Sequence, residues 1–326
     1  MATSVRNRPK RVTPTESRHS VSRWNPICLR MLRSENLNRR SPMLDCVDGK
    51  AFTRRQALKA IALASAAALP AASAGNTLRG TAINHVSYSS ADYNKTRDFY
   101  AGLFGFQVSE EDSRQLYLWA GDGLISAKNA PRVTAPLIDH FGLTVEPWDL
   151  DAVESVLKER GLIARVSRND PHDTQGKTVF TRDPNGYLLQ LCARDAAIKP
   201  APVLSHAPLK SIGINHISYQ CADYKKTRDF YAELLGVPVS NDDGKQAYLW
   251  FGDAFMVVRT GETGDGGPVI DHFAWNLADW NKDRVSAELK KRSLEAHADS
   301  AGKSIMTKDL NGYPLQLCSK DLAKRP

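Results

Sequence analysis

The chain has 326 residues, of which 42% are hydrophobic, 25% charged and 8% aromatic. This composition excludes a disordered, collagen-like or polytopic membrane protein, and five cysteines exclude a disulfide-rich scaffold. The net charge of +8 suggests a nucleic-acid partner, but residues 1–74 alone carry 14 Lys and Arg against 4 Asp and Glu. The remainder has a net charge of −2, so we expect no nucleic-acid partner.

A candidate export signal occupies residues 53–74. It begins with Thr-Arg-Arg-Gln-Ala-Leu-Lys, continues with an alanine-rich apolar run and ends in Ala-Ser-Ala, as at a cleavage site. These features resemble a twin-arginine (Tat) signal peptide, which implies contact with the Tat translocon and a periplasmic or secreted protein. The apolar run is shorter than the roughly 20 residues needed to span a bilayer, so we expect no stable membrane insertion. We expect residues 1–52 to be a disordered or wrongly assigned N-terminal extension.

An internal repeat organises the rest of the chain. Three segments return in the second half: 83–109 as 214–240, 138–141 as 270–273, and 183–192 as 309–318. The first pair is identical at 19 of 27 positions. A unit of about 130 residues is too long for a solenoid repeat. We therefore predict two tandem domains, over 81–195 and 212–321, joined by a proline-containing linker over 196–211.

Each domain is predicted to contain the same elements in the same order. In the first domain, helices are predicted after the N-cap residues Asp92 and Asp149, with Gly105 and Gly161 as stop signals. Short β-rich runs lie around these helices, at 83–87, 116–119, 140–145, 165–167, 178–181 and 187–192. The pattern is βαβββ twice in each domain, which predicts the α+β class.

The motifs of this repeat resemble the vicinal oxygen chelate superfamily, which includes glyoxalase I, bleomycin-resistance proteins and extradiol dioxygenases. The resemblance rests on the opening Asn84-His85, the helix with Thr96–Tyr100 and its trailing Gly105, and the closing turn at 183–186. It implies that each domain is a pair of βαβββ modules forming a cup-shaped sheet with a metal inside. Two domains in one chain most resemble the extradiol dioxygenases.

The resemblance also implies a metal-ligand set in each domain. The implied ligands are His85, His140 and Gln190 in the first domain, and His216, His272 and Gln316 in the second. Two imidazoles and one oxygen donor suit a divalent ion such as Fe²⁺, Zn²⁺, Mn²⁺ or Ni²⁺ and leave positions open for substrate. The extradiol pattern has Glu as the third ligand. The neutral amide found here predicts weaker metal affinity and a stronger Lewis acid.

A second departure concerns acid–base chemistry. His172 falls at the position of a histidine in the extradiol closing motif, which makes it a candidate catalytic acid or base, with a solvated loop residue as the alternative. That motif also contains a tyrosine, and its place is taken by Phe180 in the first domain and Met306 in the second. The loss of both the Tyr and the Glu argues against efficient ring cleavage of catechols.

Two other pairs of side chains share strand faces with the candidate ligands or with each other. Tyr117 and Trp119 are two residues apart and so lie on the same strand face. We expect them to pack in the core rather than to line an aromatic pocket. Cys192 follows Gln190 by two residues, and we expect it to be a small buried apolar residue.

These features together predict an exported, two-domain metalloenzyme that acts on a small molecule with vicinal oxygens. The reaction is left open among dioxygenase, isomerase and lyase. The alternative is a metal-free small-molecule binding protein of the bleomycin-resistance type. The sequence leaves homo-oligomerisation open.

Overall fold

The computed structural model describes residues 78–109, 111–166, 176–197, 199–201, 206–261 and 267–326. The predicted export signal and His172 lie outside these residues. No helix among the described residues is long and apolar enough to cross a membrane.

The described residues form two eight-stranded mixed sheets, as expected for two tandem α+β domains. The strands of the first sheet are β1 (Gly80–Ser90), β2 (Gln107–Ser109), β3 (Gln115–Ala120), β4 (Gly123–Asn129), β5 (Leu137–Val145), β6 (Arg165–Val166), β7 (Thr178–Arg182) and β8 (Leu188–Cys192). Those of the second are β9 (Ser211–Cys221), β10 (Val239–Ser240), β11 (Gln246–Phe251), β12 (Ala254–Thr260), β13 (Val269–Leu277), β14 (His297–Ala298), β15 (Ser304–Lys308) and β16 (Pro314–Cys318).

Both sheets have the same strand order. The first runs β2-β3-β4-β1-β5-β8-β7-β6, and the second repeats it as β10-β11-β12-β9-β13-β16-β15-β14. The central strands β1 and β5 are antiparallel, and each has a parallel outer neighbour, β4 or β8. The predicted domain boundaries remain a prediction. Strands β1 and β9 each begin one residue before the predicted start of their domain, and the other strands lie within it.

Among the described residues, four helices pack on the sheets: α1 (Tyr93–Phe104), α2 (Leu150–Glu159), α3 (Tyr224–Leu235) and α4 (Lys282–Lys290). The predicted N-caps are confirmed, because Asp92 and Asp149 accept hydrogen bonds from the backbone N–H groups of Asn94 and Ala152. Gly105 ends α1 in the left-handed conformation with φ of 72°, which glycine adopts without steric cost.

Each closing turn docks on the first strand and first helix of the other domain. The carboxylate of Asp309 accepts hydrogen bonds from Tyr88 (2.7 Å) and Tyr100 (3.3 Å). The amide of Asn311 donates to Thr96 Oγ1 at 2.9 Å. Burying a carboxylate costs free energy unless it is hydrogen-bonded. Each domain therefore provides hydroxyl donors to a carboxylate that the other domain buries.

The reciprocal contacts are formed by the equivalent residues. Asp183 accepts from the hydroxyls of Tyr219 and Tyr231, and Asn185 donates to Thr227 Oγ1 at 2.8 Å. Burial raises the pKa of Asp183 and of Asp309, while the tyrosine hydrogen bonds favour their charged forms.

We expect Tyr88→Phe to lower the free energy of unfolding by about 1.5–3 kcal/mol, because a buried carboxylate loses a hydrogen bond. Tyr219→Phe should act alike on the reciprocal contact. Urea denaturation measures both changes. Tyr93→Phe is the matched control, because this hydroxyl donates to a backbone carbonyl oxygen, that of Asp112, and its loss should cost less. A change below about 0.5 kcal/mol for both test variants would contradict the assigned role of these contacts.

Candidate metal centre

The three implied ligands of the first domain lie on neighbouring strands. His85 is on β1, His140 on β5 and Gln190 on β8, and these strands are adjacent in the sheet. His140 Nε2 lies 3.1 Å from Gln190 Oε1, and the two imidazole rings meet edge to face with centroids 5.3 Å apart. Residues separated by more than one hundred positions therefore meet at one point. Their role as ligands remains a prediction.

The second domain brings its set together in the same way. His216 Nε2 and His272 Nε2 are 3.2 Å apart, and the ring centroids are again 5.3 Å apart. Gln316 also contacts His216, and its amide nitrogen donates to Ser304 Oγ at 2.8 Å.

A β-bulge beside each histidine determines where its neighbour points. In the β1–β5 ladder, Ile83 and His85 pair with consecutive residues of β5, and His140 and Ile138 pair with consecutive residues of β1. Asn84 and Asp139 are therefore the extra residues of the two bulges. Consecutive residues of a regular strand face opposite sides, but a bulge redirects the extra side chain. Each extra residue can therefore reach the ring of the histidine next to it. In the second domain the extra residues are Asn215 and Asp271.

These extra residues hold the Nδ1 atoms of the histidines. His85 Nδ1 is 2.9 Å from Asn84 Oδ1, and His140 Nδ1 is 2.5 Å from Asp139 Oδ1. Amide and carboxylate oxygens only accept hydrogen bonds, so each Nδ1 carries the proton. A proton held at Nδ1 leaves a lone pair on Nε2 for a metal, which is the arrangement that second-shell groups impose on metal-bound histidines. In the second domain the matching distances are 2.6 Å for His216 and 3.4 Å for His272.

The acidic members of this outer layer are themselves paired. Lys128 Nζ lies 3.1 Å from Asp139, and the hydroxyl of Ser89 donates to the same carboxylate at 2.9 Å. Burial alone would raise the pKa of Asp139, but the His140 ring and the Lys128 ammonium hold that pKa well below its usual range. In the second domain, Arg259 pairs with Asp271.

His85, His140 and His216 are buried and neutral. Only 7% of His85 and 3% of His216 are exposed. Burial lowers the pKa of each to about 3, with the neighbouring histidine contributing in the same direction. Burial also lowers the pKa of His140. Neutral imidazole is the form that binds metals.

The geometry fits a divalent metal. Two ligands that bind one ion at about 2.0–2.1 Å with a near-tetrahedral angle are roughly 3.2–3.4 Å apart. The Nε2 pair of the second domain, at 3.2 Å, matches this spacing, and the Nε2–Oε1 pair of the first is slightly closer at 3.1 Å. Two unprotonated nitrogens facing each other at 3.2 Å repel unless a cation or proton lies between them. No described cluster contains three or more His, Cys, Asp or Glu side chains placed for a metal, because the third donor here is an amide.

A cavity of about 110 Å³ opens beside the first set. Its lining includes all three implied ligands, together with the side chains of Tyr117, Leu124, Ser126, Lys128, Phe180 and Cys192. Phe180 also packs edge to face on His140, with centroids 5.3 Å apart. Tyr117 thus borders the cavity, although core packing was its expected role, and Cys192 is buried as expected.

Comparison with known proteins supports the glyoxalase/vicinal oxygen chelate superfamily. Residues 82–191 match the model of the "Glyoxalase/Bleomycin resistance protein/Dioxygenase superfamily". A metallothiol transferase FosB from Shouchella clausii is 26% identical over 137 residues, which cover 41% of this chain and 94% of that protein.

Solved structures share the fold. A Mn(II)-bound glyoxalase from Novosphingobium aromaticivorans superposes with a TM-score of 0.60 at 18% identity, covering 74% of this chain and 83% of the other. Homoprotocatechuate 2,3-dioxygenase from Arthrobacter globiformis gives a TM-score of 0.63 at 17% identity, covering 76% and 82%. At these identities the likeness concerns the fold alone.

Asp139→Asn should weaken metal binding at the first set about 10- to 100-fold, because His140 loses the carboxylate that fixes its tautomer. The measurement is an EPR-detected Mn²⁺ titration in a His216→Ala background, where only the first set is complete. Asp195→Asn is the control, since Asp195 is an exposed carboxylate paired with Lys177. Equal affinities for the two variants would rule out the assigned role of Asp139.

Proposed function

We propose that this protein is a metal-dependent enzyme of the vicinal oxygen chelate type, acting on a small molecule through two adjacent oxygens. A divalent ion, Fe²⁺, Zn²⁺, Mn²⁺ or Ni²⁺, would be held by His85, His140 and Gln190 or by their counterparts in the second domain. The carrying observation is the meeting of two imidazoles, each with an oxygen acceptor beside its Nδ1, and an amide at one point in each domain. We further propose that each sheet curves into a cup around that point.

When bound, such an ion would chelate the adjacent substrate oxygens and stabilise negative charge on them. The residues around it determine the balance of charge. His85, His140 and Gln190 are all neutral, and the charges of Asp139 and Lys128 offset each other. The substrate is therefore the remaining source of negative charge at the site, which favours an anionic oxygen chelator.

The cavity lining disfavours ring cleavage. Phe180 borders the cavity where the extradiol resemblance implies a tyrosine, so that position provides no hydroxyl to move a proton. Gln190 provides no carboxylate. We therefore propose isomerase- or lyase-type chemistry on a carbonyl or enolate in preference to dioxygenase chemistry. A role for His172 as acid or base remains part of this proposal.

Metal counting on the purified protein tests the proposal. We expect up to two Mn²⁺ or Zn²⁺ ions per chain after loading, measured by elemental analysis after dialysis. His85→Ala and His216→Ala should each remove one ion, because each takes a ligand from a different set. Substoichiometric metal under every loading condition would overturn the proposal and favour the metal-free binding protein.

We also propose that the protein is exported by the Tat pathway to the periplasm or beyond. The basis is the arginine pair at 54–55 followed by the apolar run and the Ala-Ser-Ala site. A Tat substrate crosses the membrane folded, which would let a metal be loaded before export.

Replacing both Arg54 and Arg55 by Lys should trap the uncleaved precursor in the cytoplasm, as seen by cell fractionation and immunoblotting. The chain has a second arginine pair, Arg39 and Arg40, outside the predicted signal. The same double replacement there is the matched control and should leave export intact. Normal export of the Arg54/Arg55 variant would refute the Tat assignment.

A further inference from the structure

The wall of the second set is more bulky and apolar than the wall of the first. Leu124 pairs with His85 across β1 and β4, and the residue in the same position beside His216 is Phe255. Two residues further along these strands, Ser126 corresponds to Val257. In the first domain, Leu124 and Ser126 both line the cavity.

A third position follows the closing strands. Ala196 lines the first cavity four residues after Cys192, and Leu322 lies four residues after Cys318. Leu322 packs on a cluster formed by Trp250, Phe255 and Val257. All three differences therefore replace a smaller side chain by a larger apolar one.

Phe255 covers one face of the His216 ring. The two rings stack with centroids 4.8 Å apart and an interplanar angle of 21°. Tyr248 stacks on Phe255 at 4.7 Å, and Trp250 packs against it at 4.9 Å. Tyr248 is the counterpart of Tyr117, which borders the first cavity. In the second domain, aromatic rings thus fill the side of the histidine that borders the cavity in the first domain.

The strand beneath the histidine differs as well. His85 lies over Gly142, and a Cβ added there would come within 2.2 Å of the imidazole Cε1. The counterpart beside His216 is Ala274, which already carries that Cβ. The first ring can therefore lie close to its neighbouring strand, whereas the second rests against Phe255.

From this asymmetry we infer that only the first domain accepts the vicinal-oxygen ligand, and that Phe255 closes the second set to it. The inference rests on the proposed metal-binding function. Phe255 covers the face of the imidazole, whereas the Nε2 lone pair lies in the plane of the ring. The Phe255 ring therefore leaves the position of the metal ion accessible. The second set then binds a metal ion but no vicinal-oxygen compound, and the cavity at His85 binds small bidentate oxygen chelators.

Chelator counting on the Mn²⁺-loaded full chain tests this inference, with 4-nitrocatechol as the probe in calorimetric and absorbance titrations. The unmodified protein should bind one equivalent of 4-nitrocatechol per chain. Leu124→Phe should weaken that binding at least tenfold, because it places in the first cavity a ring equivalent to that of Phe255. The triple variant Phe255→Leu, Val257→Ser, Leu322→Ala copies the first wall onto the second domain and should bind two equivalents.

The outcomes separate this inference from the proposed function. A protein that holds no metal contradicts the proposed function. A metal-loaded protein that binds two equivalents before any substitution contradicts the asymmetry alone. So does Leu124→Phe with undiminished affinity, since the single ligand would then lie elsewhere. Circular dichroism and thermal unfolding establish that each variant is folded; if the triple variant does not fold, the unmodified stoichiometry and Leu124→Phe still decide.

Discussion

The hydrogen bond to each histidine Nδ1 is the interaction on which the candidate site depends. It fixes the proton away from the shared point and leaves a lone pair on Nε2. Burial alone makes the rings neutral but does not choose between the two nitrogens. In the first domain that choice is made by Asn84 and Asp139, and each reaches its ring because a bulge turns it out of the regular strand alternation.

The sequence predicted most of the fold because its signals are local. Asp92 and Gly105 define the ends of α1 by capping and by a left-handed backbone, both of which depend on only a few neighbouring residues. The candidate ligands were found through the repeat and the family resemblance. The outer layer was missed, although Asn-His and Asp-His occur in both halves, because adjacent strand residues are expected on opposite faces. Only the ladder shifts at Asn84 and Asp139, and those at their counterparts in the second domain, show otherwise.

The difference between the surroundings of His85 and His216 could not be predicted for a related reason. Leu124 and Phe255 are both ordinary core residues in a strand. Nothing in the local sequence distinguishes a residue that lines a cavity from one that fills it. Their meaning depends on the parallel pairing that places each beside a histidine about 40 residues earlier. The same holds for Gly142, whose missing side chain matters only because the His85 ring occupies that space.

The reciprocal turns explain how the second domain contributes to the site in the first. The first domain buries Asp183, and its hydroxyl partners Tyr219 and Tyr231 belong to the second. Removing the second domain would take both hydroxyl donors away from Asp183 and the Thr227 acceptor away from Asn185. The same closing turn carries Tyr187, whose hydroxyl donates to the carbonyl of Ile138, next to the bulge at Asp139. Tyr187 thus links the strand that carries His140 to the turn whose Asp183 accepts hydrogen bonds from the second domain.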